Sequence, residues 1–95
     1  MITSKQRSHL RSLSNGLEVI FQLGKTGIEE NFLKQIDVVI EKRELIKINV
    51  LSNSGLTARE ASDIICEKLN CEGIQAIGSK MVIYRKSLKN PRIEL

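Results

Sequence analysis

Apolar residues recur along this chain with two different periods, and the changes of period mark its elements. Three leucines at helical spacing, Leu10, Leu13 and Leu17, predict a first helix from Thr3 to about Ser14. Thr3 or Ser4 can cap its start. Residues 18–23 form an apolar run typical of a buried strand. A second helix follows, opening near Ile28, and its apolar stripe has spacings of three and four: Phe32, Leu33, Ile36, Val39 and Ile40.

The second half of the chain repeats this alternation. Residues 45–51 alternate apolar and polar side chains, which predicts a strand with one packed face. Thr57 and Glu60 have the spacing of a capping box and open a helix that runs to about Leu69. Two short strands, Ile74–Ile77 and Met81–Tyr84, flank a hairpin turn.

The element order is therefore α-β-α-β-α-β-β. Helical crossovers favour parallel pairing of the strands they join, whereas the closing hairpin makes the last strand antiparallel. We predict an α/β two-layer sandwich with a mixed four-stranded sheet. Residues 1–95 form a single domain, and the polar segment from about residue 87, which contains Pro91, is expected to be a loosely held tail.

Composition limits the class of protein. With 95 residues, 41% apolar and 3% aromatic, the chain can bury one core built from Ile, Leu and Val. It has neither an apolar stretch of membrane-spanning length nor a signal peptide, so a cytoplasmic location is expected. Cys66 and Cys71 lack the spacing of a zinc site and are expected to be reduced, structural thiols.

Charge is distributed unevenly. The net charge is +4, but residues 1–14 and 79–95 together hold eight of the 15 basic residues and one of the 11 acids. This uneven distribution of charge predicts a basic face that attracts polyanions through counterion release. The alternative is a pair of solvated basic ends with no binding role.

The tetrapeptide Gly24-Lys25-Thr26-Gly27 lies between the first strand and the second helix. A G-x-x-G loop there brings backbone amides close to a ligand, and Lys25 adds a positive charge, which together suit a phosphate clamp. A plain tight turn is the alternative. Thr26 and Glu29 also fit a capping box, which would make Thr26 a helix cap. If Gly24 has a positive φ, alanine there should impair folding.

Catalytic constellations are not supported. The sole histidine, His9, lies on the basic first helix, away from any nucleophile pattern. Glu29, Glu30 and Asp37 are better explained as the solvated face of a helix than as a metal site. A P-loop would require glycine at position 19, where this chain has Val19. We therefore expect no enzyme activity, no metal and no cofactor.

Four stretches occur together in a distinctive order: Ser4–Arg7 with Leu10 and Arg11, Leu23–Ile28, Glu44–Ile48, and Gln75–Gly78 with Met81–Arg85. In this order they resemble a known family, the CRM (chloroplast RNA splicing and ribosome maturation) domain. The closest likeness is to its stand-alone bacterial form, the YhbY-like proteins, and it runs from about Thr3 to Lys86.

The resemblance implies a fold similar to the C-terminal domain of bacterial translation initiation factor three, with sheet order 1-2-4-3 and strand 4 antiparallel. It also implies RNA binding without catalysis. Bacterial members associate with precursors of the large ribosomal subunit, and plant relatives act in intron splicing. The glycine loop of the family is likened to that of KH domains, which clamps the nucleic-acid backbone.

Carried over by position, the expected RNA-binding residues are those of the loop, the first helix and the end of the last strand: Gly24, Lys25, Thr26, Gly27, Lys5, Arg7, Arg11, Arg85 and Lys86. We expect them to form one surface that contacts about five phosphates, with a log–log salt slope of roughly −3.5 to −4.5. Tyr84 is either a base-stacking residue or part of the core.

RNA, most simply ribosomal RNA, is the expected partner of a monomer that binds no membrane. The alternative is a protein-interaction module whose basic face docks on an acidic assembly factor.

Overall fold

A computed structural model describes residues 2–94 of the chain. It contains three α-helices, four strands and one short 3-10 turn, in the predicted order. Their bounds are α1 Ser4–Ser14, β1 Val19–Leu23, α2 Glu30–Arg43, β2 Leu45–Val50, the 3-10 turn Ser52–Ser54, α3 Ala58–Leu69, β3 Glu72–Ile77 and β4 Lys80–Tyr84.

Two of the helices begin with capping boxes. The Thr3 hydroxyl accepts a hydrogen bond from the Gln6 amide, and the Gln6 side chain accepts one from the Thr3 amide. Thr57 and Glu60 make the same reciprocal pair at the start of α3. Each box satisfies two amides that the helix itself leaves unbonded, so both starts follow from the local sequence.

The start of α2 differs from the prediction. The N-cap residue is Glu29, it makes no side-chain capping bond, and the helix proper begins at Glu30. The predicted capping box between Thr26 and Glu29 is therefore wrong. The reason is that the chain first closes a tight turn at the glycine loop and turns into the helix only afterwards.

The sheet order is β1-β2-β4-β3, with β1 parallel to β2 and β4 antiparallel to both of its neighbours. This confirms the predicted mixed sheet and the 1-2-4-3 order. β1 and β3 are the two edge strands. The C-terminal ends of β1 and β2 lie at the same end of the sheet as the turn between β3 and β4, because Asn49 is the register partner of Lys80.

Apolar side chains pack on both faces of the sheet. The larger cluster joins the sheet to α2 and α3, and its fully buried members include Ile36, Ile40, Ile46, Ile48, Ile65, Met81 and Ile83. The smaller cluster lies under α1 on the opposite face and contains Leu10, Leu45, Ile74, Val82 and Tyr84. The two-layer sandwich of sheet, α2 and α3 thus has α1 across part of its other face.

The C-terminal segment is attached to the domain by two glutamates. The buried carboxylate of Glu44 accepts hydrogen bonds from three backbone amides, those of Ser87, Arg92 and Ile93, at 2.6–2.8 Å. Glu41 accepts bonds from the Ser87 hydroxyl and from the amides of residues 88 and 89. Ile93 also packs against the smaller cluster. Polar composition predicted a loose tail, but residues 87–93 have defined attachments.

Candidate nucleic-acid interface

The glycine loop is a tight turn at one end of the sheet. The Gly27 amide donates to the Gly24 carbonyl at 3.0 Å, and the two residues between them, Lys25 and Thr26, are exposed. Gly27 has a φ of +75°, in the left-handed region that favours glycine. Gly24 is not among the glycines of positive φ, so the hypothesis of a positive φ at that residue is wrong.

This geometry predicts unequal costs for alanine at the two glycines. Gly27→Ala should lower the free energy of unfolding by about 1–2 kcal/mol, because a Cβ is disfavoured at that φ even though open space surrounds it. Gly24→Ala should change it by less than about 0.5 kcal/mol, since its Cβ would meet the Leu51 side chain at an ordinary 3.7 Å. Urea unfolding of both variants tests this, and a larger loss at Gly24 would contradict it.

The N-terminus of α2 contributes less to the loop than the sequence suggested. Ile28 and Glu29 separate the turn from the helix, and the exposed side chains of Glu29 and Glu30 lie at the helix start. Acidic side chains already interact favourably with that end of the helix dipole, and they repel a phosphate. Any phosphate contact at the loop would therefore depend on the turn amides and the Lys25 ammonium rather than on the helix N-terminus.

A row of side chains crosses all four strands beside the loop. Register pairs Gln22 with Asn49, Asn49 with Lys80, and Lys80 with Ile77. We call these four residues the open row. They lie on the face that α1 covers farther down the sheet, yet Gln22 and Lys80 are exposed and the Ile77 side chain is 66% exposed.

One further lysine and one hydrogen bond belong to this end of the sheet. Lys47 is half-buried on the same face as the open row, two residues before Asn49 on β2. The Ser79 hydroxyl donates to the Asn49 side-chain oxygen at 2.8 Å and fixes the hairpin turn against the row. The loop, Lys47 and the open row lie at the same end of the sheet and together carry three lysines; we call this surface the upper face.

The basic side chains of α1 contact the opposite edge of the sheet. Arg7 donates to the Gly73 carbonyl and forms an ion pair with Glu72 at 3.3 Å. Arg11 donates through Nε to the Ile74 carbonyl at 3.3 Å. Both arginines thus help to hold α1 on β3, whereas Lys5 is exposed.

Arg85 has a structural role in the fold. Its guanidinium donates to the Asp37 carboxylate at 2.6 Å, to the Asp37 carbonyl at 3.2 Å and to the Leu69 carbonyl at 3.1 Å. The side chain is only 20% exposed, and it joins the end of β4 to α2 and to the last turn of α3. Lys86, the next residue, is exposed.

The predicted site residues do not all lie on one surface. Leu45 pairs with Tyr84, so Arg85 and Lys86 follow at the N-terminal end of β2, whereas the glycine loop lies beyond its C-terminal end. At about 3.3 Å per residue, the length of β2 separates the two groups by about 17 Å. The loop comes together instead with Lys47 and Lys80, which sequence reasoning did not assign to the site. The alternation of side chains along residues 45–51 was the signal for Lys47, because it places Lys47 on the side of β2 opposite to the packed isoleucines.

The remaining candidates for chemistry are buried or half-buried. Tyr84 lies in the smaller cluster and is not available for base stacking. Cys66 and Cys71 are free thiols, and burial raises the pKa of Cys71 to about 12. Burial also raises the pKa of Cys66. Both thiols are therefore protonated and poorly reactive at neutral pH, as expected of structural cysteines. Among residues 2–94, no helix is long and apolar enough to cross a membrane.

The chain matches one family of proteins. The CRS1/YhbY (CRM) domain matches residues 2–85, and the chain belongs to that family. Its relatives include the probable RNA-binding protein YqeI of Bacillus subtilis, which is 39% identical over 95 residues, covering 100% of this chain and 99% of the relative. An RNA-binding protein of Haemophilus influenzae is 29% identical over 86 residues, covering 90% of this chain and 87% of the relative.

A solved structure shows the same fold. The solution structure of the hypothetical protein SAV1595 from Staphylococcus aureus superposes with a TM-score of 0.79 at 44% sequence identity. The match covers 100% of this chain and 99% of that protein. The relatives named above are described as RNA-binding proteins rather than as enzymes.

Proposed function

We propose that this protein binds structured RNA through its upper face, by backbone and shape recognition and without catalysis. The observation that carries the proposal is that the exposed glycine turn and the lysine-bearing open row lie at the same end of the sheet. Family membership and the names of the relatives support RNA as the ligand.

The turn amides and Lys25 would hold one phosphate, while Lys80 and Lys47 would neutralise its neighbours along the strand. Contacts of this kind fix the position of the RNA but carry little sequence information. With Tyr84 buried, the upper face has no aromatic platform on which bases could stack. Specificity then comes from the shape of a folded RNA that fits the turn and the sheet together.

Three phosphate contacts predict a log–log salt slope of about −2 to −3, which is shallower than the five contacts expected from sequence. Lys25→Ala should weaken binding about threefold to tenfold and flatten the slope by about 0.7–0.9. Because Lys25 is exposed, the unfolding free energy should stay within about 0.5 kcal/mol of the wild-type value. Fluorescence anisotropy with a labelled RNA hairpin across a KCl series measures both quantities.

Lys34→Ala is the matched control. Lys34 is an exposed lysine on α2, on the other side of the sheet, where it pairs with Glu30 at 3.4 Å. The Lys34→Ala variant loses the same charge but keeps the upper face intact, so its affinity for RNA should remain close to that of the wild type. Equal losses in the two variants would mean that net charge alone drives binding, and the upper face would lose its role.

We further propose that the RNA is ribosomal and that the protein acts in the cytoplasm on precursors of the large ribosomal subunit, as the family resemblance implies. Sedimentation of cell lysate on a sucrose gradient, with and without RNase, tests this assignment. Co-migration with large-subunit precursors that RNase abolishes is expected. If the protein stayed at the top of the gradient, the ribosomal role would be contradicted. RNase-resistant migration that heparin cannot displace would indicate docking on a protein instead.

A further inference from the structure

A cavity lies along the free edge of β3, between α1 and α3. The family resemblance implies RNA binding by Arg7 and Arg11 but assigns no role to Arg59 or to the cavity itself. Its volume is about 680 Å³, and its lining includes three arginines: Arg7, Arg11 and Arg59. Residues 73–77 of β3 form its floor. Two of these arginines come from the first helix, while Arg59 comes from the first turn of α3.

Two of the guanidinium groups remain available to a further ligand. Arg11 contacts the Ile74 carbonyl through Nε, and Arg59 contacts Asp63 through Nε at 3.6 Å. The bond to β3 restrains the Arg11 guanidinium, and the Nη nitrogens of both side chains make no hydrogen bond within residues 2–94. A guanidinium with two such N–H groups binds a phosphate in bidentate fashion. The Arg59 side chain is 81% exposed, so a ligand can reach it.

The edge of β3 is poorly suited to the addition of a peptide strand. A docking strand would need the outward carbonyls of the edge as acceptors, but those of Gly73 and Ile74 already accept bonds from Arg7 and Arg11. The lining carries three guanidinium groups and one carboxylate, that of Asp63, so its net charge is positive and matches an anion. Charge and geometry together favour a phosphate chain over an extended peptide.

The cavity is also continuous with the upper face. Ile77 lies at the end of the open row, opposite Lys80, and it is one of the residues that line the cavity. A strand of RNA leaving the open row at Ile77 would therefore enter the cavity without crossing another part of the protein. Arg7 and Arg11 bond to the carbonyls of residues 73 and 74, so such a strand would reach them after it had passed residues 75–77.

We propose that the cavity along β3 is a second phosphate-binding site, in which Arg11 and Arg59 hold the sugar–phosphate backbone of RNA that leaves the open row. The inference rests on the proposed function and extends the RNA path from the glycine loop to α3. It assigns Arg59 a role in positioning RNA, and it keeps the RNA-binding role expected for Arg11 beside that residue's bond to β3.

Arg59→Gln is the principal test, since Arg59 makes only an exposed ion pair within its own helix. We expect a twofold to fivefold loss of affinity for a labelled RNA hairpin with a single-stranded extension. The log–log salt slope should become shallower by about 0.7–0.9. Arg59→Lys should restore part of the affinity, because it keeps the charge but loses the bidentate fork. Lys68→Gln, elsewhere on α3 and exposed, is the control for net charge.

The result that overturns the proposal is an affinity and a salt slope for Arg59→Gln that match those of Lys68→Gln. Lys25→Ala, measured on the same RNA, separates this failure from a failure of the proposed function. If Lys25→Ala weakens binding while Arg59→Gln does not, the upper face stands and the cavity is not part of the site. If neither variant differs from its control, both proposals fail.

Discussion

Glu44→Ala is expected to lower the free energy of unfolding by about 2–3 kcal/mol, the largest effect on stability of any change considered for this chain. The buried Glu44 carboxylate accepts the amides of Ser87, Arg92 and Ile93, and alanine leaves all three without their acceptor. For a domain of this size the loss corresponds to a fall in Tm of about 10–20 °C. Thermal unfolding followed by circular dichroism measures it.

The backbone at Glu44 explains why this residue is worth testing. It follows α2 with a φ of +66°, where glycine is the usual residue. A non-glycine residue in this region carries a conformational cost of about 1–2 kcal/mol. The side chain therefore offsets that cost through its bonds to the tail. Glu44→Gly would remove the strain together with the bonds, and so should destabilise less than Glu44→Ala.

The carboxylates of Glu44 and Glu41 make the stability of the protein depend on pH. Burial raises the pKa of Glu44, but its bonds to the three amides and the charge of Arg92 outweigh burial and lower the pKa overall. The Ser87 hydroxyl, followed by the Leu88 amide, lowers the pKa of Glu41. Because both are lowered on folding, their contribution is complete above the ordinary glutamate pKa of 4.5 and is lost as the pH falls through the lowered values.

Glu67→Ala serves as the control for the Glu44 prediction. Glu67 is exposed on α3, so its loss should change stability by less than about 0.5 kcal/mol. If Glu44→Ala and Glu67→Ala unfolded at the same temperature, the attachment of residues 87–93 by Glu44 would be refuted.

The triple variant Lys25→Gln, Lys47→Gln, Lys80→Gln is expected to lose most of its affinity for RNA. These lysines supply the positive charge of the upper face, and their removal should weaken binding by about 30-fold or more at low salt. The log–log salt slope should become shallower by about two units for the same reason. Anisotropy titrations over a KCl series follow both changes.

A second triple variant isolates position from net charge. Lys34, Lys42 and Lys68 are exposed on α2 and α3, away from the upper face, and their replacement by Gln removes the same three charges. We expect a loss of less than about fivefold, from weaker long-range attraction alone. Comparable losses in the two triple variants would contradict recognition by the upper face.

Local sequence signals accounted for most of the fold. The capping boxes at Thr3 and Thr57 set the starts of α1 and α3 because both partners of each box lie within three residues. Alternation in residues 45–50 identified β2 and its packed side. The order of the sheet, by contrast, came from the family resemblance, since helical crossovers and one hairpin are compatible with more than one order.

The candidate site was harder to predict because contacts between residues far apart in sequence decide which side chains face solvent together. Arg85 was assigned to RNA, yet it bonds to Asp37, 48 positions earlier. No local pattern reveals that pairing. Lys47 and Lys80 come together with the glycine loop only through strand register. A basic residue near a chain end is therefore a weak predictor of a binding surface until the sheet order and the ion pairs are known.

The most direct test of the central claim is a map of amide chemical-shift changes in the ¹⁵N-labelled protein on titration with a structured RNA. RNA binding by the upper face predicts changes at residues 24–27, 47–49 and 77–80, with little change along the exposed side of α2 around Lys34. Changes confined to α2 or to residues 87–93, with the glycine loop unperturbed, would contradict it.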